Sequence, residues 1–465
     1  MSDAWAISGA DLHLELTGTR IRASLEGALR DAIRSGRLGS GARLPSSRAL
    51  AVDLGIARNT VAEAYAQLVA EGWLTARQGS GTRVADRGVA ELETRSTPAG
   101  VAQSATPYDL RPGSPDLSTF PRSAWLAAAR RALASAPDEA LGYSDPRGQP
   151  ALRIALAEYL ARARGVRVTP DRIVICSGFT QAFGLLCGVL TSNGAKALAT
   201  EEFTQPGIRA IADSHGLNPL SLPVDDGGAR ISELADDAGA VLLTPAHQFP
   251  LGVPLAAQRR AEAVTWARRN AALVIEDDYD GEFRYDRQPL GALQALAPEH
   301  VVYAGTASKT LAPGLRLAWL VLPQHLVDEV VEGKLMADRQ SGSLEQLTLA
   351  EFISSGAYDR HVRRSRLSYR RRRDHLVAEL AQLKANVTVT GIAAGLHALV
   401  ELPPGESERA AVERAAQQGL TMEGLHAYGG EGSQHRPALV VGYGRPPAHA
   451  YTSAVNRLCT VLGGR

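Results

Sequence analysis

The sequence predicts an α/β protein in two parts: a small helical head closed by a β-hairpin, then a large body built on a mostly parallel sheet. Three observations predict it. A length of 465 residues exceeds what one hydrophobic core ordinarily serves. Up to about residue 85, apolar positions keep helical spacing in short segments separated by glycines. Beyond residue 110, short β-like runs alternate with helical stretches, the rhythm of a parallel sheet covered by helices.

Composition closes several doors. With 45% hydrophobic and 21% charged residues, the chain reads as soluble and globular, and its net charge of +1 favours no particular partner. The cysteines, Cys176, Cys187 and Cys459, form no metal-ligand spacing, so no metal is expected and a reducing cytoplasm fits best. The acidic start lacks a basic-then-apolar signal, and no apolar run approaches the ~18 residues that cross a bilayer. Among 50 basic residues, lysine occurs only at Lys196, Lys309, Lys334 and Lys384, the pattern of an arginine-biased genome. No constellation surrounds Lys196, Lys334 or Lys384, where arginine is expected to serve. Lys309 differs, for reasons given below.

The head, residues 1–85, starts with helical spacing over Ile21, Leu25, Ala28, Leu29, Ala32 and Ile33, closed by Gly36 and Gly39. Ser46 can cap a second helix whose buried face is Leu50, Ala51 and Leu54. A third opens near Arg58 and buries Val61, Ala64, Tyr65, Leu68 and Val69. Two strands, 73–75 and 82–84, then flank Gly79, Ser80 and Gly81. Helix, turn, helix and a glycine-tipped hairpin are the pattern of a winged helix-turn-helix, whose last helix enters the DNA major groove. Arg58 suits guanine, Asn59 adenine, and Thr60 phosphate or base. Arg43 and Arg48 suit phosphate or base contacts, and the glycine tip lets backbone approach the minor groove. Between residues 34 and 83, seven arginines face three acids, a local net of +4 that matches a phosphate backbone.

Residues 86–110 hold Pro, Ser, Thr and Gly without apolar periodicity and read as a flexible linker. In the body, 111–465, the strand candidates are 172–176, 197–200, 240–244, 272–276, 301–304 and 317–322. Lys309 follows the fifth of these, at a strand end where α/β sheets place ligands. An amine there can form a Schiff base with an aldehyde; a guanidinium cannot. Asp277 ends another strand, placed to hold the protonated ring nitrogen of a pyridoxal group, with Tyr279 near the ring oxygen. Gly178, Phe179 and Thr180 open a helix whose amides suit phosphate, with Ser308 and Arg316 completing that cage. The run from Arg363 to Arg373 reads as a solvated helix face, with Leu367, Leu376 and Leu380 on the other side.

The string RLPSSRALAVDLGIARNTVAEAYAQLVAEGWLTARQGSGTRV closely resembles the DNA-binding domain of the GntR family over residues 20–84. That resemblance implies DNA contacts from Arg43, Arg48, Arg58, Asn59, Thr60 and the wing residues Gly79, Ser80 and Gly81. The body resembles fold-type I pyridoxal-phosphate enzymes of the aspartate aminotransferase group, with a large domain and a smaller α+β domain. Further matches are Gly142-Tyr143…Asp145-Pro146…Gly148, His247-Gln248-Phe249-Pro250-Leu251-Gly252, and Arg436 ahead of Ala438–Tyr443. The resemblance implies pyridoxal 5'-phosphate on Lys309 and His247 in the cofactor site. It also implies a homodimer in which Tyr143 reaches the other subunit's phosphate, and Arg436 gripping a substrate carboxylate. Head followed by body resembles the MocR/GabR-type regulators, which implies operator DNA with repeated half-sites and an effector that is an amine, amino acid or B6 vitamer.

Two positions depart from that pattern. Gln205 stands where an aromatic ring usually stacks on the cofactor, with Phe203 able to replace it only if the loop shifts, and Phe179 stands where a small hydroxyl residue is usual. Two other readings stand beside the cofactor-dependent regulator, the first from the chemical parts Lys309, Asp277, Tyr279 and Arg436, the second from these departures. One is an active aminotransferase carrying a DNA-binding head; the other is a cofactor-free regulator with a degenerate site.

Overall fold

The chain divides into two compact units, residues 1–102 and 103–465. The computed structural model describes residues 20–77, 81–86, 108–285, 290–383, 387–430 and 435–463. Gly79, Ser80, Lys384 and most of the 86–110 segment lie outside the described residues.

In the first unit, helices α1 (Ile21–Arg34), α2 (Ser47–Leu54) and α3 (Arg58–Ala70) precede the antiparallel pair β1 (Leu74–Arg77) and β2 (Gly81–Val84). Ser46 caps α2 by accepting from the Ala49 amide at 3.1 Å, and Gly55 ends it in the left-handed region at φ 67°. The predicted apolar faces converge on one core: Leu25, Leu29, Leu50, Val61, Leu68 and Leu74 are buried, each contributing about 2 kcal/mol. Ile21, expected on that face, is 44% exposed because α1 begins there and its first turn projects beyond the core.

The second unit is built on a seven-stranded sheet of β4 (Ile173–Cys176), β5 (Ala197–Glu201), β6 (Asn218–Leu222), β9 (Ala240–Leu243), β10 (Leu273–Asp277), β11 (Val301–Thr306) and β12 (Ala318–Val321). Their order is β4-β12-β11-β10-β9-β5-β6. β12 alone runs against its neighbours. Helices cover both faces: Phe183, Leu186 and Val330 pack on one, Leu156, Leu160 and Phe352 on the other. β6 escaped the sequence reading because an edge strand carrying Asn218 and Pro219 lacks the apolar run of the interior strands.

A smaller antiparallel sheet, β13 (Thr388–Thr390), β14 (Ala398–Glu401), β17 (Ala438–Val441) and β16 (Glu423–Gly424), packs under the Ala448–Gly463 helix. Two short pairs complete the inventory, β3 (Tyr108–Asp109) with β15 (Leu420–Thr421), and β7 (Val224–Asp225) with β8 (Gly228–Ala229). The arginine-rich helix Ala357–Ala381 is not simply a solvated face. Leu367 is exposed, whereas Arg372 is buried, donating to Asp116 at 2.6 Å and to the Pro446 carbonyl at 2.8 Å. Its guanidinium also donates to the Gly444 carbonyl at 3.2 Å, so it ties the helix to the segment that follows β17. Among the described residues, no helix is long and apolar enough to cross a membrane.

Candidate cofactor site and DNA interface

Sheet register assembles the body's site. Thr306 of β11 lies opposite Ala318 of β12, and Ala318 lies opposite Cys176 of β4. Because β12 is reversed, the loop from Thr306 to Ala318 leaves and re-enters the sheet at the rim where β4 also ends. Lys309, Arg316 and Gly178 emerge together there, and Asp277, paired with Ala304, ends β10 beside them.

Lys309, Asp277 and Tyr279 line a cavity of about 300 Å³, within the range of small-ligand pockets. The Lys309 Nζ donates to the Gly113 carbonyl at 2.5 Å. Burial pulls its pKa below the usual lysine range, against the opposing pull of Asp277 and Asp280. Burial likewise pushes the Asp277 carboxyl up to about 8, with Lys309 pulling the other way and Asp278 and Asp280 adding repulsion. Tyr279 is held from behind: its hydroxyl donates to the His247 carbonyl at 3.0 Å, and His247 Nδ1 lies 2.8 Å from Asp280. His247 therefore sits behind Tyr279 rather than on the wall of this cavity. His247, Asp280 and His397 bring donor atoms within 4.8 Å of one another, but the short His247–Asp280 hydrogen bond already uses two of them.

The turn after β4 is shaped around a guanidinium. Gly178 has φ 98°, and a Cβ there would lie 2.5 Å from Arg316 Nη2. Arg316 is one of three non-glycine residues in the left-handed region among the described residues, at φ 53°, and its Nη2 donates to the Ser177 carbonyl at 2.5 Å. Thr180 is exposed at the start of the Phe179–Ser192 helix, whereas Phe179 stacks on Phe183 at 5.9 Å and turns into the core. Ser308, beside Lys309, is fixed by Thr306 Oγ1, which accepts from its amide at 3.1 Å and donates to its hydroxyl at 2.9 Å.

Three expectations change. Phe203 does not stand in for the missing aromatic: it is 3% exposed and packs with Leu399, Leu425, Tyr428 and Val440. Gln248 pins the Phe203 carbonyl at 2.7 Å, and Gln205 itself lines the cavity with Phe249 and Tyr428. Arg436 does not line the cavity: its side chain is 84% exposed, drawn toward Glu401 just before β17 begins. The guanidinium lining the cavity is Arg445, whose Nε meets Asp109 at 2.9 Å. Sequence reasoning missed it, although it lies three residues past Gly442 of the motif already marked. Lys334, read as replaceable, is fully buried in an ion pair with Asp338 at 2.8 Å. Tyr143 is 82% exposed, with the Arg339 guanidinium 4.4 Å over its ring.

In the head, Arg43, Arg48, Arg58 and Asn59 are exposed and Thr60 half-buried at the start of α3. Arg43 passes Gly81, where a Cβ would lie 3.3 Å from its Nε. Arg43, Ser46, Ser47, Tyr65, Gly81 and Thr82 line a groove of about 690 Å³ between α2, α3 and the hairpin.

Residues 21–84 match the bacterial regulatory proteins, gntR family, and residues 110–434 match aminotransferase class I and II. The pyridoxine biosynthesis transcriptional regulator PdxR of Corynebacterium glutamicum is 34% identical over 94% of this chain and 95% of its own length. The probable rhizopine catabolism regulatory protein MocR of Rhizobium meliloti is 33% identical over 75% of each chain. Among solved structures, the α-aminoadipate aminotransferase LysN of Thermus thermophilus, complexed with N-(5'-phosphopyridoxyl)-L-leucine, superposes with a TM-score of 0.67 at 26% identity. That likeness covers 77% of this chain and 92% of LysN. Spanning nearly the whole of one such regulator and matching both profiles, the chain belongs to the HTH-type transcriptional regulators that join a gntR-family head to an aminotransferase class I and II body.

Proposed function

We propose that this regulator holds pyridoxal 5'-phosphate on Lys309 and changes its grip on operator DNA when a B6 vitamer, amine or amino acid alters that site. The observation that carries the reading is one cavity of about 300 Å³ in which Lys309 and Asp277 converge, beside a glycine whose missing Cβ leaves room for Arg316. The residues fit the cofactor. Ser308, Arg316, Gly178 and Thr180 offer hydroxyls, a guanidinium and a helix N-terminus to a phosphate. Bound there, pyridoxal phosphate supplies an aldehyde and an electron-withdrawing ring.

Each side chain then has a separate task. The lowered pKa of Lys309 keeps more of its amine unprotonated and nucleophilic. Asp277 holds a proton at the ring nitrogen, since a cation beside it offsets the burial that raises its own pKa. Tyr279, with its hydroxyl anchored on His247, orients the ring edge. Arg445 at the cavity wall is placed for a ligand carboxylate, the role first assigned to Arg436. Tyr143, projecting into solvent in the single chain, supports a homodimer in which it completes the other subunit's site. Paired heads would read repeated half-sites through Arg58, Asn59 and Thr60, with Arg43, Arg48 and the wing on phosphates. An effector acts only through unequal affinity for the two states. The PdxR relative, named for pyridoxine biosynthesis, supports B6 synthesis as the controlled pathway.

The test is a mobility-shift assay on the neighbouring intergenic DNA, with and without pyridoxal phosphate and candidate amines. The expected result is a cofactor-dependent affinity that Lys309→Ala removes; affinity indifferent to the cofactor overturns it. A working aminotransferase is the second reading, favoured by Arg445 beside Lys309. Rapid multiple turnover of amino acid with an oxo-acid acceptor would replace the sensor reading.

A further inference from the structure

Another lysine of the body, Lys334, has a constellation of its own. Val327, Val330 and Lys334 lie on the buried face of the Val327–Ala337 helix, so an ammonium occupies a core position. Lys334 is 0% exposed and spends its donors on Asp338 Oδ1 at 2.8 Å, Asp338 Oδ2 at 3.0 Å and Ser341 Oγ at 3.0 Å. A buried charge is costly unless paired and fully hydrogen-bonded, and here both conditions hold.

The pair does not end on itself. Asp338 accepts from Gln181 Nε2 at 2.6 Å, and Gln181 Oε1 accepts from the Ser177 amide at 2.7 Å. Ser341 Oγ meets Ser177 Oγ at 3.2 Å. Both routes lead to Ser177, whose carbonyl takes the Arg316 guanidinium next to Gly178. The same four-residue segment turns outward as well. Arg339, left-handed at φ 63°, lays its guanidinium over the Tyr143 ring. Gln340 accepts from the Ser144 amide at 2.6 Å and donates to the Gly142 carbonyl at 3.1 Å. A left-handed residue is what allows Asp338 and Ser341 to face inward while Arg339 and Gln340 face the Tyr143 loop.

We infer that Lys334 with Asp338–Ser341 is a buckle that positions one part of each phosphate site of the proposed dimer: the Ser177–Gly178 turn of this chain's own site and the Tyr143 loop that completes the other subunit's. The inference rests on the cofactor reading above and assigns Lys334 as a positioning residue that never touches the ligand. Its signature is selectivity for the phosphate: loosening the buckle weakens a phosphorylated ligand and spares the same ring without phosphate.

The full-length ligand-free protein is titrated with pyridoxal phosphate and, separately, with pyridoxal, each followed by visible absorbance of the lysine-bound ring. Lys334→Met is expected to weaken pyridoxal phosphate about tenfold or more, the size of effect seen when a supporting hydrogen-bond shell is removed, with pyridoxal nearly unchanged. Gln181→Leu and Arg339→Ala are expected to move the same ratio in the same direction by less. A shifted ³¹P resonance of bound pyridoxal phosphate in Lys334→Met is a second readout. Equal losses for both ligands, or wild-type affinity for both in folded variants, would overturn the buckle. If Lys334→Met does not fold, Ser341→Ala, which keeps the ion pair, decides by the same ratio. Failure of the cofactor reading looks different: wild-type protein then develops no band with either ligand.

Discussion

Lys309 lines the cavity, Lys334 is tied through Asp338 and Ser341 to the Ser177 turn, and the fold could hardly treat the two more differently. Lys309 has, among the described residues, one hydrogen bond to a carbonyl, a cavity in front of it and a pKa pulled below the usual range. Lys334 has three hydrogen bonds, a carboxylate clasping it and no solvent at all. The lysine proposed to react is left with few ties; the lysine proposed to hold is saturated. The arginines divide the same way: Arg58 lies open at the start of α3, while Arg372 is clamped on Asp116 and on carbonyls of the segment after β17.

The contrast can be broken most sharply at Lys309 itself. Lys309→Ala should abolish the visible band formed with pyridoxal phosphate while leaving urea unfolding of the ligand-free protein close to wild type. A band that survives would transfer the reactive role to another amine. Lys334→Ala should do the reverse to stability, costing about 2–5 kcal/mol in a urea titration, because it leaves a cavity in the core and takes a partner from Asp338. Arg58→Ala should cost about 1–3 kcal/mol of operator affinity and relax preference at one base pair, read by competition with mutated sites. Arg43→Ala should instead weaken every sequence alike and lower the salt slope by about 1.

A smaller effect comes from pH. The Asp277 carboxyl, raised to about 8 when folded, keeps its proton at pH values where the unfolded chain has released it. Its contribution to stability is therefore complete below about pH 4 and lost as pH rises through about 8. Asp277→Asn should flatten that decline in urea midpoints of ligand-free protein, leaving a share from Glu201 and Glu276, both pushed up to about 7 by burial. An unchanged slope would mean that Asp277 is better solvated than its position suggests. The smallest effect should be at Arg436, where alanine leaves ligand affinity unchanged while Arg445→Ala weakens any carboxylate-bearing ligand; equal losses would restore Arg436 to the site.

Legibility followed contiguity. The head's helices, cap and hairpin lie in one unbroken string, so local propensity and local charge suffice to read them. Lys309 and Asp277 were legible because strand ends are where parallel sheets bind ligands. Arg445 was not, because only the path of the loop after β17 decides that it reaches the cavity and Arg436 does not. Phe203 misled because aromatic identity says nothing of the side a strand-end ring turns to. Lys334 left a signal that went unused: its spacing from Val327 and Val330 puts a charge on an apolar stripe, and Asp338 follows at i+4.

The reversed strand β12 has a consequence for how this chain can vary. Lys309 and Arg316 belong to one excursion that starts at Thr306 and returns at Ala318, opposite one another in register. A single residue inserted or deleted within that excursion would not merely lengthen a loop. It would displace the amine from the guanidinium and flip whichever strand absorbed the slip, so point changes can tune this segment but length changes cannot. Among otherwise diverged sequences of this architecture, the spacing from that lysine to that arginine should be more constant than the residues between them.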